Sequence, residues 1–253
     1  MALINFWNLF HLHGKKVVLG LAVLCCSLAA APAYAQSQMI VKKNLANYDD
    51  KLMHYGFYLA MPVARFNIEH SDQYVQQLAD SGIAVNAKYS PNFSTGFVIN
   101  FHPAEYFNIR FTPGAGFYSR SIEYEGVRNP NTNNVENVTQ DVGATMIELP
   151  LLIKYTSKRR RNVRMYFVGG AKASVDVSNR KRDRIEGRLR AEPTDFSLEY
   201  GVGVDLFYPF FKFAPELRFS HGMVNMRVPD NNIYANLIQK MNSHSVTLYL
   251  FFE

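Results

Sequence analysis

Apolar and polar residues alternate with a period of two over eight stretches of the chain. Each stretch places bulky apolar side chains at every second position and polar or charged ones between them, the pattern of a β-strand with two unlike faces. The apolar faces run through residues 55–63, 93–101, 107–111, 147–155, 163–175, 198–206, 211–219 and 246–252. Pro150 and Pro215 cannot donate backbone hydrogen bonds, so they predict bulges or local breaks.

The connections between these segments alternate in length. Three are short, around residues 102–105, 157–161 and 208–210. The long connections lie between them, at residues 69–91, 120–143, 177–194 and 222–242. Short periplasmic turns and long outer loops are typical of transmembrane barrels. We therefore expect an all-β fold, an eight-stranded antiparallel transmembrane β-barrel with its short turns in the periplasm.

A soluble β-sandwich or a lipocalin-like barrel is the main rival, because either would turn the apolar face inward. The Phe, Tyr, Leu and Ile side chains of that face are too bulky to fill an eight-stranded interior comfortably. Tyrosines near the strand ends also suit an interfacial girdle. The pattern therefore favours the membrane barrel.

The polar face of the strands carries charges of both signs. Its six basic and five acidic residues are Arg110, Lys154, Arg164, Lys172, Lys212 and Arg218, and Glu148, Asp176, Glu199, Asp205 and Glu216. Eight strands leave an interior just wide enough for side chains. We expect these residues to pair inside the barrel as an interior network that fills the lumen instead of leaving a channel.

The first 35 residues have the features of a secretory signal peptide. Lys15 and Lys16 precede an apolar run that ends in the small-residue pattern Ala33–Tyr34–Ala35, which predicts cleavage before Gln36. An N-terminal membrane anchor and a lipoprotein signal around Cys25–Cys26 are the alternatives.

Three regions follow from these patterns. Residues 1–35 form the signal peptide, residues 36–51 a polar periplasmic tail, and residues 52–253 the barrel. The expected location is the outer membrane.

Basic residues outnumber acidic ones by 27 to 21, so the chain carries a net charge of +6. Four of them, Lys158, Arg159, Arg160 and Arg161, fill a predicted periplasmic turn, which is either a solvated turn or a contact for an acidic periplasmic partner. A second basic cluster at 179–190 falls in an outer loop, where it binds lipopolysaccharide phosphates or is simply a solvated loop. Export across the inner membrane argues against a nucleic-acid partner.

No known catalytic motif marks the chain as an enzyme. Both cysteines lie in the predicted signal peptide, so the mature chain has no thiolate ligand, disulfide or cysteine nucleophile. Nucleotide-binding, hydrolase and metalloprotease motifs are absent from the sequence. The histidines have no ligand spacing, although Ser220–His221 or His244 could serve a barrel hydrolase. We expect no catalytic activity, no cofactor and no small-molecule substrate.

Three stretches resemble the PorT (SprT) family of Bacteroidetes. They are NYDDKLMHYGFYLA at 47–60, ELPLLIKY with the basic turn and following strand at 148–176, and YPFFKFAPELRFSHGMVN at 208–225. The resemblance covers the mature chain from about Asn47 onward. Members of this family are outer-membrane barrels required for type IX secretion and, in some cases, gliding motility.

The resemblance implies a component or assembly factor of type IX secretion, which exports proteins bearing a C-terminal signal. It also implies other type IX components as partners, beside outer-membrane lipid and lipopolysaccharide, and it supplies no catalytic residues. The alternatives are a structural or adhesive small barrel and a narrow porin, neither involved in secretion.

Overall fold

The computed structural model describes residues 43–72, 74–75, 78, 83–128, 135–178, 189–229 and 233–253. Residues 43–253 form one compact unit. The predicted signal peptide, the start of the predicted tail and residues 179–188 of the basic loop lie outside the described residues. Within the described ranges, no helix is long and apolar enough to cross a membrane.

Eleven strands and short helical stretches make up the described fold. The strands are β1 (Met53–His70), β2 (Ala84–Ala87), β3 (Ser90–Pro91), β4 (Phe93–Ala104), β5 (Phe107–Phe111), β6 (Gly114–Arg128), β7 (Val135–Thr156), β8 (Val163–Asp176), β9 (Thr194–Phe207), β10 (Lys212–Gly222) and β11 (Ile238–Phe252). The helix α1 (Ile233–Asn236) precedes the last strand.

The strands close into an antiparallel ring of eight. β1 pairs with β4 on one side and with β11 on the other, and the ring continues from β4 through β5, β7, β8, β9 and β10 to β11. β5 and β6 form one line, interrupted at Thr112–Pro113, between β4 and β7. β2 and β3 extend the line of β4, since β2 pairs with β6 and β3 with β1. The predicted eight-stranded barrel is confirmed.

Both predicted breaks lie where a proline meets a gap in pairing with one neighbour. Pairing between β9 and β10 skips Ala214 and Pro215, whereas Pro215 still faces Leu250 of β11. Pro150 pairs with Lys172 of β8 and faces the interruption between β5 and β6 on its other side. A missing N–H is tolerated at these positions because the neighbouring ladder is already broken.

The predicted long loop at 120–143 is wrong. β6 continues to Arg128 and β7 begins at Val135, so these strands pair well beyond the apolar segments. The outward apolar face ends there because this part of the hairpin lies beyond the bilayer, so Ser121 and Glu123 face outward while Ile122 and Tyr124 are buried on the inward face. The pattern of the membrane-crossing segments is therefore reversed, and backbone pairing continues where the outward apolar pattern stops.

The outward face of the barrel carries an apolar belt. On β1, large apolar residues occupy each outward position from Met53 to Val63, and each is exposed. These ten residue steps cover about 34 Å along the strand and about 26 Å across a membrane at a tilt of 40°. That height matches the apolar band of outer-membrane barrels, about 25 Å.

An apolar cluster fills the barrel at the end that carries the long connections, here called the loop end. Phe66, Ile122 and Tyr124 point inward from β1 and β6 and pack in one buried cluster with Leu189 and Met226 from the connections. The opposite end, here called the short-turn end, is the periplasmic end in barrels of this layout.

Candidate functional site in the barrel interior

The interior of the barrel is lined with charged side chains. Ten of the eleven residues of the predicted interior network are buried there: Arg110, Glu148, Lys154, Arg164, Lys172, Glu199, Asp205, Lys212, Glu216 and Arg218. They point inward because strand residues alternate between the two faces of a sheet. Neighbouring strands then bring opposite charges within contact distance across the narrow lumen.

Asp205 organises the part nearest the short-turn end. Lys154 Nζ donates to both of its carboxylate oxygens, at 2.7 and 2.9 Å, and Arg164 Nε donates at 3.2 Å. Lys212 Nζ lies 3.9 Å from Asp205 and 2.7 Å from Glu253. The Asp205 carboxylate therefore faces three cations, and Glu253 supplies a second negative charge for one of them, Lys212.

Glu216 joins this part to the centre of the barrel. Its carboxylate accepts from Arg110 Nη1 at 2.7 Å and from Arg218 Nε and Nη2 at 2.8 and 2.5 Å. Arg110 also reaches Glu253 at 3.3 Å, and Arg218 Nη1 donates to Glu199 at 3.0 Å. Such charge-assisted bonds from planar guanidinium groups are strong and directional.

Lys172 carries the contacts on toward the loop end. Its Nζ lies 3.0 Å from Glu199 and 3.1 Å from Glu148. Glu148 also accepts a 2.7 Å hydrogen bond from the Tyr118 hydroxyl. The ion pairs thus form one continuous path through the interior.

This charge chain consists of twelve residues of alternating sign. Its six cations are Arg110, Lys154, Arg164, Lys172, Lys212 and Arg218, and its six carboxylates are Asp49, Glu148, Glu199, Asp205, Glu216 and Glu253. Their formal charges sum to zero. Removing charges from water is costly, and only close opposite partners offset that cost.

Aromatic rings pack against several cations of the charge chain. Lys154 Nζ lies 3.6 Å from the centre of the Tyr166 ring, and the Arg218 guanidinium lies 4.1 Å from that of Tyr249. The Arg110 guanidinium lies 4.5 Å from the centre of the Phe251 ring. The rings fill the space between ion pairs and add cation–π attraction.

Asp176 does not join the charge chain through its described contacts. It is the last residue of β8, at the loop end, where Oδ1 accepts from Ser178 Oγ at 2.7 Å and from the Thr145 amide at 3.2 Å. The strand period gives its face correctly but not its depth in the barrel. Two residues that sequence reasoning missed, Asp49 and Glu253, supply carboxylates at the other end.

Arg120 is a further buried cation that sequence reasoning missed, because it fell in the predicted loop at 120–143. It lies between the charge chain and the apolar cluster, 4.5 Å from the centre of the Tyr118 ring and 5.2 Å from that of Phe66. These two aromatic faces are its described close contacts. Among the described residues, no group of three or more potential ligands is placed to hold a metal ion.

The tail segment, residues 43–51, lies against the short-turn end and completes the charge chain there. Asp49 pairs with Arg164 at 2.8 Å. The Tyr48 hydroxyl donates to Glu253 at 2.9 Å and accepts from Lys212 Nζ at 2.8 Å, while its ring stacks on His54. This segment, which the sequence indicated only as a polar tail, closes the interior.

Two groups at this end lie outside the strands and have perturbed pKa values. Burial, together with the Glu253 carboxylate, raises the pKa of the Tyr48 phenol well above its ordinary value, so the hydroxyl keeps its proton. Burial alone would raise the pKa of the Glu253 carboxyl, but Lys212 and Arg110 outweigh it and lower that pKa to about 2. Glu253 therefore stays an acceptor for the Tyr48 hydroxyl.

The basic turn is divided between two roles. Arg159 turns back toward the tail segment, donates to the backbone oxygens of Asn44 and Leu45, and lies 3.7 Å from the centre of the Phe207 ring. Burial lowers the pKa of the Arg159 guanidinium. The other three residues of the turn, Lys158, Arg160 and Arg161, are exposed.

Replacing Glu216 by Gln should destabilise the barrel strongly, because two buried guanidinium groups would lose their shared carboxylate. We expect the free energy of unfolding, measured with urea in detergent micelles, to fall by about 3–5 kcal/mol. The matched control is Glu69→Gln, which breaks only an exposed pair with Lys240 and should cost less than about 1 kcal/mol. Equal losses in the two variants would contradict a structural role for the charge chain.

Replacing Asp49 by Asn should release the tail segment without unfolding the barrel, because Arg164 keeps its second partner, Asp205. We expect the amide hydrogens of residues 43–51 to exchange at least about tenfold faster, read by mass spectrometry, as befits loss of a charge-assisted contact. Asp50→Asn removes the same charge from the adjacent exposed residue and should leave exchange unchanged. Slow exchange in both variants would show that other contacts hold the segment.

Comparison with known proteins identifies a matching family and similar solved structures. Residues 34–227 match the model of the outer membrane protein beta-barrel domain. The solved structures that resemble it include the outer membrane protein OprG from Pseudomonas aeruginosa, at 11% identity and a TM-score of 0.39, over 78% of this chain and 92% of that one. Neisserial surface protein A (NspA) is similar at 12% identity and a TM-score of 0.37, over 79% of this chain and 98% of that one.

No curated protein matches the chain. The family match covers β1 to β10 and therefore most of the ring. The expected location in the outer membrane is confirmed. The chain belongs to the family of outer membrane proteins built on this beta-barrel domain.

Proposed function

We propose that this barrel is a closed component or assembly factor of the type IX protein secretion system, which exports proteins bearing a C-terminal signal, and in some cells supports gliding motility. The observation that carries the closed role is the charge chain. It runs through the interior, and the tail segment completes it at the periplasmic end. A lumen filled in this way has no room for cargo, so the barrel acts beside the conduit.

The residues that resemble the PorT (SprT) family are also those that close the interior. NYDDKLMHYGFYLA contains Tyr48 and Asp49, which hold the tail segment. ELPLLIKY contains Glu148 and Lys154 of the charge chain, and FKFAPEL contains Lys212 and Glu216. A general barrel pattern demands none of these charges at these positions, so their match supports the secretion role more than alternation alone does.

The exposed part of the basic turn is the proposed contact for an acidic periplasmic partner. Lys158, Arg160 and Arg161 stand free of the interior, whereas Arg159 is held against the tail segment. Three clustered cations on a short turn present a field that favours an acidic surface. Other type IX components with periplasmic domains are the proposed partners.

Deleting the gene should trap type IX cargo in the periplasm. Cargo would be assayed in the medium, on the cell surface and in the periplasm, with a complemented strain as control and a soluble periplasmic protein as a marker of leakage. We expect cargo to accumulate in the periplasm without leakage. Normal cargo release would contradict the secretion role and favour a structural or adhesive barrel.

Reversing the charge of Lys158, Arg160 and Arg161 to Glu should impair secretion while the barrel still assembles, because these side chains face solvent. We expect cargo release to fall at least about tenfold, consistent with loss of a charged contact of 1.5 kcal/mol or more. The control reverses two exposed lysines near the loop end, Lys88 and Lys240.

Assembly would be checked by heat-dependent migration of the folded barrel on gels. Wild-type secretion by the turn variant, at wild-type protein level, would exclude the turn as a partner contact. Equal loss of secretion in the control would point to a general effect of charge.

A further inference from the structure

The outward face of the barrel changes from apolar to basic at one row near the loop end. Arg65 of β1 is directly opposite His244 of β11, which is in turn opposite His221 of β10. The row just below it consists of Val63, Val246 and Phe219. Cations on a lipid-facing surface are costly at mid-membrane and nearly free near the interface, so this row marks the level where hydrocarbon meets the headgroups of the outer leaflet.

A pocket of about 320 Å³ opens on the outside of the barrel at this row. It is here called the headgroup pocket, and its lining residues differ between its lower and upper parts. The lower part is formed by Val63, Phe219 and Val246, and the upper part includes Asn67 and Tyr89 beside the basic row. An occupant must therefore combine a polar group with an apolar part.

Arg65 brings a positive charge to the pocket that no described carboxylate neutralises. Its guanidinium lies 4.7 Å from the centre of the Tyr89 ring, and the described residues that line the pocket include no Asp or Glu. The acidic residue on the same face of β1, Glu69, is paired with Lys240 at 3.2 Å. Arg65 is thus available to an anion from outside the chain.

The two histidines add a hydrogen-bonding relay. The Tyr200 hydroxyl lies 2.9 Å from His221 Nε2, and His221 Nδ1 lies 2.7 Å from His244 Nδ1. When the Tyr200 hydroxyl donates to His221 and His221 donates to His244, the remaining nitrogen of His244, Nε2, carries a proton. That arrangement gives His244 a free donor for an oxyanion beside the guanidinium of Arg65.

We propose that the headgroup pocket binds a phosphate of the lipid A part of lipopolysaccharide. Arg65 pairs with the phosphate, because a guanidinium offers several donors in one plane to a tetrahedral oxyanion. His244 donates a further hydrogen bond, and an acyl chain lies over Val63, Val246 and the apolar belt below them. The apolar lower part favours such a lipid over a free anion, which would gain nothing from that surface.

The test measures binding of a fluorescent, bisphosphorylated lipid A to the purified full chain in detergent micelles. Arg65→Gln should weaken affinity at least about tenfold, since a hydrogen bond to a charged group is worth 1.5 kcal/mol or more. Arg65→Lys keeps the charge and should bind more tightly than Arg65→Gln. Lys240→Gln removes a nearby outward cation that lies outside the pocket and should match the wild type.

Two further probes separate a lipid site from a simple anion site. Lipid A stripped of both phosphates should bind at least about tenfold more weakly to the wild type, and this difference should be smaller in Arg65→Gln, which keeps only the His244 donor. Inorganic phosphate, added at the concentration at which lipid A half-saturates the barrel, should not displace lipid A. The proposal is overturned if Arg65→Gln binds as tightly as the wild type, if the dephosphorylated lipid binds equally well, or if inorganic phosphate displaces lipid A. Heat-dependent migration on gels confirms that each variant is folded before it is titrated.

Discussion

Charge neutrality inside a narrow barrel is the constraint on which the rest of this structure depends. An eight-stranded ring encloses space for side chains only, so whatever points inward must pack and must be paired. Seven of the described inward residues are cations; Arg120 lies against aromatic rings, and the six of the charge chain would each be strongly destabilising if left alone in a water-poor interior. Six carboxylates alternate with them along one path, and aromatic rings fill the gaps between the pairs.

The same constraint explains why the tail segment and the last residue belong to the interior. The barrel strands up to Phe252 supply only Glu148, Glu199, Asp205 and Glu216 to the charge chain, two carboxylates fewer than its cations. Asp49 and Glu253 supply the missing pair at the short-turn end. Closure of the periplasmic end is therefore an electrostatic requirement of the interior as well as a steric one. In a barrel closed in this way the residues of the lumen serve stability.

The strand period placed the eleven charged residues named from the sequence on one face of the strands, because that face depends only on local backbone geometry. Glu253 was within its reach, since the alternation that buries Tyr249 and Phe251 also places residue 253 inside. The depth of each charged residue in the barrel and its ion-pair partner could not be predicted from the strand period, because both depend on strand register across the ring. Asp176 accordingly has the right face but lies at the loop end. Asp49 belongs to a segment without periodicity, so its contact with Arg164 follows only from the folded chain.

The most direct test of a self-neutralised, closed interior is the conductance of the purified full chain in a planar lipid bilayer. We expect the protein to insert without steady channel currents, at either polarity of the applied voltage. Heat-dependent migration on gels would establish that the inserted protein is folded. Steady openings of uniform conductance from the folded wild-type barrel would contradict a filled lumen and favour a narrow porin.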